Sequence, residues 1–376
     1  MQKIKILHSA DIHFDTPFKD FDLKSAENNK RELKEVFTRI INIANERDVD
    51  ILLLSGDIFD NYTVKKDTLT FIKEEVERLK RARVFISPGN HDPYNFKSFY
   101  KLVDWPKNTY IFKGKIEKVV LEDLKVCVFG AAFNENYVHE SMLKDLNVDE
   151  NYINIGVIHS EITKGNTTNE YNPISLNDIE ESNLDYLALG HRHKYVGVLK
   201  EGKTSFAYSG CPQGRGFDEL DEKGVLLLNI RKNFVEHEFI KTCIREYKSV
   251  DIDITGVKNY IQLKNKIKEE LDGFNTKLDI FKINLVGEID SDFNIDENIL
   301  KERLKDNFYF LKIKDKTKVS LNLDTLGSEN SIKGIFVKKL KESMEEADEN
   351  ELEVINLALK LGLSSLTEEE VNLDDY

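Results

Sequence analysis

ILLLSGDIFD, residues 51–60, is an apolar run that ends in a serine and a glycine, followed by two aspartates flanking an isoleucine–phenylalanine pair. Ile51 to Ser55 reads as a strand buried on both faces, because a parallel strand covered on both sides shows a continuous apolar run rather than alternation. Gly56-Asp57-Ile58-Phe59-Asp60 then falls at the carboxyl end of that strand, where open α/β sheets hold their ligands. The pattern recurs along the chain. A strand at Ile4 to His8 precedes Asp11-Ile12-His13, and one at Val84 to Ser87 precedes Gly89-Asn90-His91-Asp92. Ile153 to Ile158 runs into His159 within GVIHSE, and Tyr186 to Leu189 precedes Gly190-His191-Arg192-His193. Five of the eight histidines lie in these blocks.

Between the first three strands the apolar residues recur with helical spacing. Leu33, Val36, Phe37, Ile40, Ile41 and Ala44 share one face of a helix over Lys24 to Arg47, and Thr68 to Arg81 reads as the next helix. This alternation predicts a layered α/β fold. Further strands are expected at Lys125 to Gly130, Ser205 to Tyr208 and Gly224 to Ile230. They come without long helices between them, so the second half is expected to be more antiparallel, and the whole to be a two-sheet β-sandwich flanked by helices.

The pattern changes around Phe239 to Tyr247. Asp251 to Ile254, Leu278 to Ile289 and Phe308 to Leu323 alternate like strands, with helical stretches at Tyr260 to Leu271 and Ile295 to Leu304. That order describes a small α+β cap domain without metal-type residues. Two amphipathic helices follow, one carrying Ile332, Ile335, Phe336 and Leu340, the other Leu352, Ile355 and Leu359. They suit docking of a partner helix, or packing against the cap. The expected domains are residues 1–240, 241–325 and an acidic helical tail at 326–376.

The chain of 376 residues is 40% hydrophobic and 32% charged, an ordinary globular composition. Its net charge of -14 argues against a protein that coats nucleic acid unaided, since such binding needs Lys and Arg to displace counterions. Leu326 to Tyr376 holds 13 acidic residues against 5 basic, so the acidity is concentrated in the tail. Cys127, Cys211 and Cys243 are scattered and form no CxxC, which suggests reduced thiols and a cytoplasmic location. No apolar run is long enough for a membrane span.

Divalent transition metals favour imidazole and carboxylate ligands, and two ions held close together need about seven or eight ligand positions with one carboxylate shared. The five blocks supply such a set. Singly, each has a plainer explanation: GNHD as an Asx-type turn, GDIFD as a strand-to-helix cap, His159 as a core histidine. The ordered series is what favours metal. His8, His139 and His237 lie outside the blocks, and His8 is expected to pack within the first strand.

In this order the motifs resemble the calcineurin-like metallophosphoesterase superfamily. DIHFDTPF at the front and YSGCPQGRGFDE near residue 212 narrow the resemblance to the SbcD-type and YhaO-like DNA repair exonucleases, over about residues 4–230. The resemblance implies two divalent ions, manganese by preference. Asp11, His13, Asp57 and His193 would hold one, and Asp57, Asn90, His159 and His191 the other, with Asp57 as the bridge. Water would be the attacking group, and His91 would protonate the departing sugar oxygen. Asp60 is expected to hold the far nitrogen of His91, and Asp92 to buttress the turn. Archaeal and eukaryotic nucleases of the family usually carry a histidine where Asp60 stands, so a DNA contact at that position does not carry over. Arg215 is a candidate phosphate contact, or a partner of a carboxylate such as Asp218. Phe14 and Phe133 are candidate walls of the entrance, or core residues.

The implied function is a two-metal DNA exonuclease, with endonuclease activity as an option, working with an SbcC-like or YhaN-like coiled-coil ATPase. A homodimer is compatible with it. The alternatives are a nucleotide or cyclic-nucleotide phosphodiesterase of the same superfamily and a non-catalytic adaptor for an ATPase.

Overall fold

A computed structural model describes residues 3–60, 64–144, 146–163, 169–290, 293–320, 331–345 and 347–366. The chain divides into two compact units, residues 1–246 and 247–376.

Two six-stranded sheets build the first unit. One runs β14 (Phe234–Lys241), β13 (Gly224–Arg231), β1 (Ile4–Ser9), β2 (Ile51–Leu54), β3 (Arg83–Ile86) and β4 (Thr109–Ile111), with β1 to β4 parallel and the β13–β14 hairpin antiparallel. The other runs β11 (Leu199–Glu201), β12 (Thr204–Tyr208), β10 (Tyr186–Gly190), β7 (Ile153–His159), β6 (Val126–Gly130) and β5 (Glu117–Leu121). A short parallel pair, β8 (Glu161–Ile162) and β9 (Pro173–Ile174), follows β7 in the chain.

Alternation along each strand assigns its residues to layers. Leu52 and Leu54 pack on α1 (Leu23–Glu46) and α2 (Lys66–Glu77) with Val36, Phe37, Ile40 and Ile72. Ile51 and Leu53, one position over, face the second sheet and meet Val128, Ile155, Val157 and Ala188. The outer face of that sheet is covered by Ile174, Ile179 and Leu184, from the segment around α3 (Leu176–Ser182). The expected sandwich flanked by helices is the observed architecture.

The second sheet corrects one expectation. Its interior, β12, β10, β7 and β6, is parallel, and antiparallel pairs occur at its edges. Parallel neighbours need a crossover of a dozen or more residues, which is usually a helix. Here the crossover spans residues 131–152, whose described residues form no regular helix, so the helical signal of parallel pairing is missing from the sequence.

The second unit holds a parallel sheet of β15 (Tyr247–Asp253), β16 (Ile280–Val286) and β18 (Phe310–Asp315), plus the pair β17 (Glu288–Asp290) and β19 (Lys318–Ser320). The helices α4 (Tyr260–Glu270) and α5 (Glu297–Leu304) share its core through Leu263, Ile267, Leu300 and Leu304. The tail helices α6 (Ile332–Met344) and α7 (Glu349–Ser365) pack on each other through Val337, Leu359 and Leu363. Lys360 ties α7 to Asp315 and Thr317, so this helix folds back on its own unit. The expected strand continuation at 321–323 and the acidic stretch at 367–376 lie outside the described residues. Among the described residues no helix is long and apolar enough to cross a membrane.

Candidate metal centre

Because β1, β2 and β3 are parallel, their carboxyl ends share one edge of the first sheet, and β7 and β10 end beside them in the second. Asp11, His13, Asp57, Asn90, His191 and His193 sit on the loops there, and His159 is the last residue of β7. The loops bend sharply, with positive φ at Asp11 (54°), His13 (52°), Asp57 (51°) and His191 (109°). Non-glycine residues held in that region are strained and cluster at functional sites. Two glycines let the sheets close on each other. A Cβ on Gly56 would meet His159 Nδ1 at 2.5 Å, and one on Gly190 would meet the Ser55 carbonyl oxygen at 1.7 Å.

The side chains converge. Asp11, His13 and His193 place ligand atoms within 4.8 Å of one another, as do Asp11, Asp57 and His159. Asp57 Oδ2 stands between the two groups, 3.5 Å from His13 Nε2 and 3.4 Å from His159 Nε2. That is the position of a shared carboxylate. The His191 ring centroid lies 5.2 Å from that of His159, and its backbone N–H donates to Asp11 Oδ1 at 3.0 Å.

Hydrogen bonds decide which nitrogen each ring offers. His159 donates Nδ1–H to the Ser55 carbonyl at 3.0 Å, which leaves the Nε2 lone pair facing Asn90 Oδ1 at 2.9 Å. His13 donates Nδ1–H to Asp60 Oδ1 at 3.1 Å, and its buried Nε2 has no hydrogen-bond partner. Lone pairs facing one another without a proton between them, beside an orphaned buried nitrogen, fit a site built for cations. Burial pushes the Asp11 carboxyl up to about 7 against the opposing charge of His193, and raises Asp57 as well. Burial also pulls His159 and His191 down to about 4 and His13 well below its usual value. The neutral imidazoles of His13, His159 and His191, with carboxylates that are costly to ionise alone, are a donor set that a dication would complete.

His91 is half exposed and donates Nδ1–H to the Asp60 backbone carbonyl at 2.8 Å. The Asp60 carboxylate, expected to hold that nitrogen, lies 3.8 Å from it and is bonded to His13 instead. Asp92 buttresses both loops. Its carboxylate accepts from the backbone N–H of Gly89, Ile58 and Phe59 and from the Tyr100 hydroxyl, at 2.6 to 3.1 Å. His8 bridges the sheets beneath, with Nδ1 2.9 Å from the Tyr186 hydroxyl and Nε2 3.1 Å from Ser55 Oγ.

The remaining expected positions fall elsewhere. Phe14 packs edge-to-face on Phe37 in the helix layer, and Phe133 lies buried against the His159 ring, so neither walls an entrance. Arg215 is largely buried and pairs with Glu219 rather than Asp218. Two carboxylates escaped the sequence reading although both stand in quoted motifs. Glu219, four residues after Arg215, accepts Nδ1–H of His193 at 2.6 Å. Burial would raise its carboxyl, but the His193 hydrogen bond and the Arg215 charge hold it well below the usual range. Glu161, two residues after His159, pairs with Arg192 and lies 3.5 Å from His191 Nε2.

Residues 4–195 match the calcineurin-like phosphoesterase family, and the chain belongs to it. It is similar to the uncharacterized metallophosphoesterase YhaO of Bacillus subtilis, 25% identical over 276 residues that make up 71% of this chain and 67% of that protein. The DNA double-strand break repair protein Mre11 of Sulfurisphaera tokodaii is 25% identical over 336 residues, 85% of this chain and 82% of Mre11. The SbcD component of the SbcCD nuclease of Staphylococcus epidermidis is 22% identical over 311 residues, 73% of this chain and 79% of SbcD. The chain is thus a metallophosphoesterase related to Mre11 and to the SbcD subunit of the SbcCD nuclease.

Proposed function

We propose that this protein is a two-metal-dependent phosphodiesterase that cuts DNA as an exonuclease, in DNA repair or processing. The observation that supports the reading is that His13 and His159 converge on Asp57 Oδ2 with Asp11, Asn90 and His193 beside them, in a chain similar to Mre11 and to the SbcD subunit of a nuclease. Asp11, His13, Asp57 and His193 would hold one ion, and Asp57, Asn90, His159 and His191 the other. When bound, such a pair lowers the pKa of water and draws charge from phosphoryl oxygens. Manganese suits this mixture of imidazole and oxygen donors.

The protein's own groups do the rest. His91, with Nδ1–H fixed by the Asp60 carbonyl, presents Nε2 outward and, as the imidazolium, would give its Nε2 proton to the departing sugar oxygen and be left neutral. Asp92 holds the Asp57 and Asn90 loops at the spacing the ligands need.

The proposed partner is an SbcC-like or YhaN-like ATPase in the same reducing, cytoplasmic compartment; the three free cysteines suit that environment. Ile332 and Ile335 on α6 and Val354 on α7 stay 61% to 74% exposed, an apolar surface of the kind that docks a partner helix. Cationic surface on the partner would offset the -14 charge of this chain when DNA binds.

The test is release of nucleotides from linear duplex DNA in manganese, by the wild type and by Asp57→Ala, with and without the partner ATPase. Nucleotide release that Asp57→Ala abolishes is the expected result. Turnover of cyclic nucleotides or other small diesters with intact DNA would replace this reading with a nucleotide phosphodiesterase.

A further inference from the structure

Behind one half of the site lies a connected set of charges that the proton transfer does not use. His13 and His193 stand on loops from different sheets, and each donates Nδ1–H to a carboxylate, Asp60 at 3.1 Å and Glu219 at 2.6 Å. One guanidinium joins those carboxylates. Arg215 Nη1 is 3.6 Å from Asp60 Oδ1, Nη2 is 2.5 Å from Glu219 Oε1, and the Arg215 backbone N–H donates to Glu219 Oε2 at 2.7 Å. The Arg215 and Glu219 side chains are only 12% and 3% exposed, so solvent barely screens the assembly. Nη2 also lies 3.1 Å from His193 Nδ1, but that nitrogen's proton points at Glu219, so the ring is held by the carboxylate and not by the arginine.

We propose that Arg215 and Glu219 are positioning residues that set the affinity of one of the two ions, the one held by His13 and His193, and that Arg215 is not a substrate contact. This rests on the metal-dependent reading above. A guanidinium presents its donors in a fixed planar fork, so it can lock two carboxylates at one separation, and through them the two imidazoles. His159, proposed for the other ion, has its Nδ1 held instead by the Ser55 backbone carbonyl.

Electrostatics alone gives the opposite sign for one substitution. A positive charge behind the ligands repels a cation, so removing it leaves Asp60 and Glu219 unneutralised and should tighten binding. If positioning dominates, removal loosens both imidazoles and weakens binding.

The experiment is a manganese titration of the full chain, followed by calorimetry and electron paramagnetic resonance. The wild type is expected to take up two ions with the spectrum of a coupled pair. In Arg215→Met and in Glu219→Gln one ion should bind about 10- to 100-fold more weakly while the other is unchanged. At manganese concentrations that fill the wild type, the coupled signal should give way to the six-line spectrum of an isolated ion. Arg215→Met that binds both ions as tightly as the wild type, or more tightly, overturns the proposal, and so does equal weakening of both. Should Arg215→Met fail to fold, Arg215→Lys decides, because it keeps the charge and loses the fork. Selective weakening supports positioning, and wild-type binding refutes it. A wild type that binds no manganese removes the metal-dependent reading itself, a failure distinct from the others.

Discussion

Gly190→Ala puts one methyl group where the ends of the two sheets touch. Its carbon would lie 1.7 Å from the Ser55 carbonyl oxygen and 2.9 Å from His159 Nδ1. A carbon and a carbonyl oxygen approach no closer than about 3.3 Å, so the backbones must part by roughly 1.6 Å. That carbonyl is the acceptor for His159 Nδ1–H at 3.0 Å, and the displacement breaks the bond. Forcing extra volume into packed structure costs about 1–3 kcal/mol. Leaving the buried donor unpaired costs about 1–3 kcal/mol more. The combined loss of about 2–6 kcal/mol corresponds to roughly 5–20 °C in Tm for a unit of this size. Misplacing His159 by more than about 1 Å should lower turnover at least about 100-fold. The assay is calorimetric melting with and without manganese, together with hydrolysis of a small phosphodiester so that DNA binding does not enter. Unchanged melting and unchanged turnover would refute the idea that this sheet contact sets the ligand spacing.

Further outcomes follow from the same geometry. His91→Gln should lower DNA cleavage about 100- to 10,000-fold while manganese uptake stays the same, and should spare a diester whose p-nitrophenolate leaving group needs no proton. Equal losses on both substrates would remove His91 as the proton donor. Asp92→Ala strips the partner from three buried backbone N–H groups and the Tyr100 hydroxyl, and should cost at least about 3 kcal/mol in urea unfolding. A loss under about 1 kcal/mol would contradict its role as the buttress of both loops. By the proposed assignment manganese would bind the ionised Asp11 carboxyl, which burial raises to about 7, so protons would compete below that pH. His159 and His191, pulled down to about 4, stay neutral there, whereas His193, raised against its burial by the Glu219 hydrogen bond and the Asp11 charge, takes up a proton and would compete as well. Apparent affinity should therefore fall as the pH drops through about 7, by up to about a hundredfold per unit where both groups protonate. Equal calorimetric affinities at about pH 6 and about pH 8 would refute that assignment.

What the sequence made legible was decided by burial. Ile51–Leu54 is buried on both faces and reads as an uninterrupted apolar run, and Leu23–Glu46 keeps one apolar stripe over 24 residues behind its Asp22 cap. Elements at the margins are harder to read. Thr109–Ile111 is half-buried throughout, and Phe234–Lys241 is an edge strand with most positions open to solvent, so neither carries a strong periodic signal. The parallel pairing of β6, β7, β10 and β12 is hidden for another reason. Crossover helices are the usual sign of parallel strands, and the described residues of the long crossover at 131–152 form none. In the site, the ligand blocks are legible because each follows its own strand directly. Glu219 is not, since its contact to His193 spans 26 positions and depends on how the GRGFDE loop folds back.

Asp60 shows where spacing stops informing. Its place three residues beyond Asp57 brings it beside His91, but spacing does not say which of its oxygens faces the ring. The backbone carbonyl takes His91, and the carboxylate turns to His13. The same division covers four of the five rings, while His191, with Nε2 3.5 Å from Glu161, stands outside it. His159 and His91 have Nδ1 fixed by backbone carbonyls, whose positions follow from the sheet ends and the loop path. His13 and His193 have Nδ1 fixed by carboxylates, whose positions follow from a buried arginine. Perturbing the sheet contact at Gly190 and perturbing the charges at Arg215 should therefore strike different halves of the ligand set. A backbone-held ring tolerates changes in nearby charge but not a shift of the strands, and a side-chain-held ring behaves the other way round. An asymmetric pair of sites built from nearly the same ligands is the expected consequence.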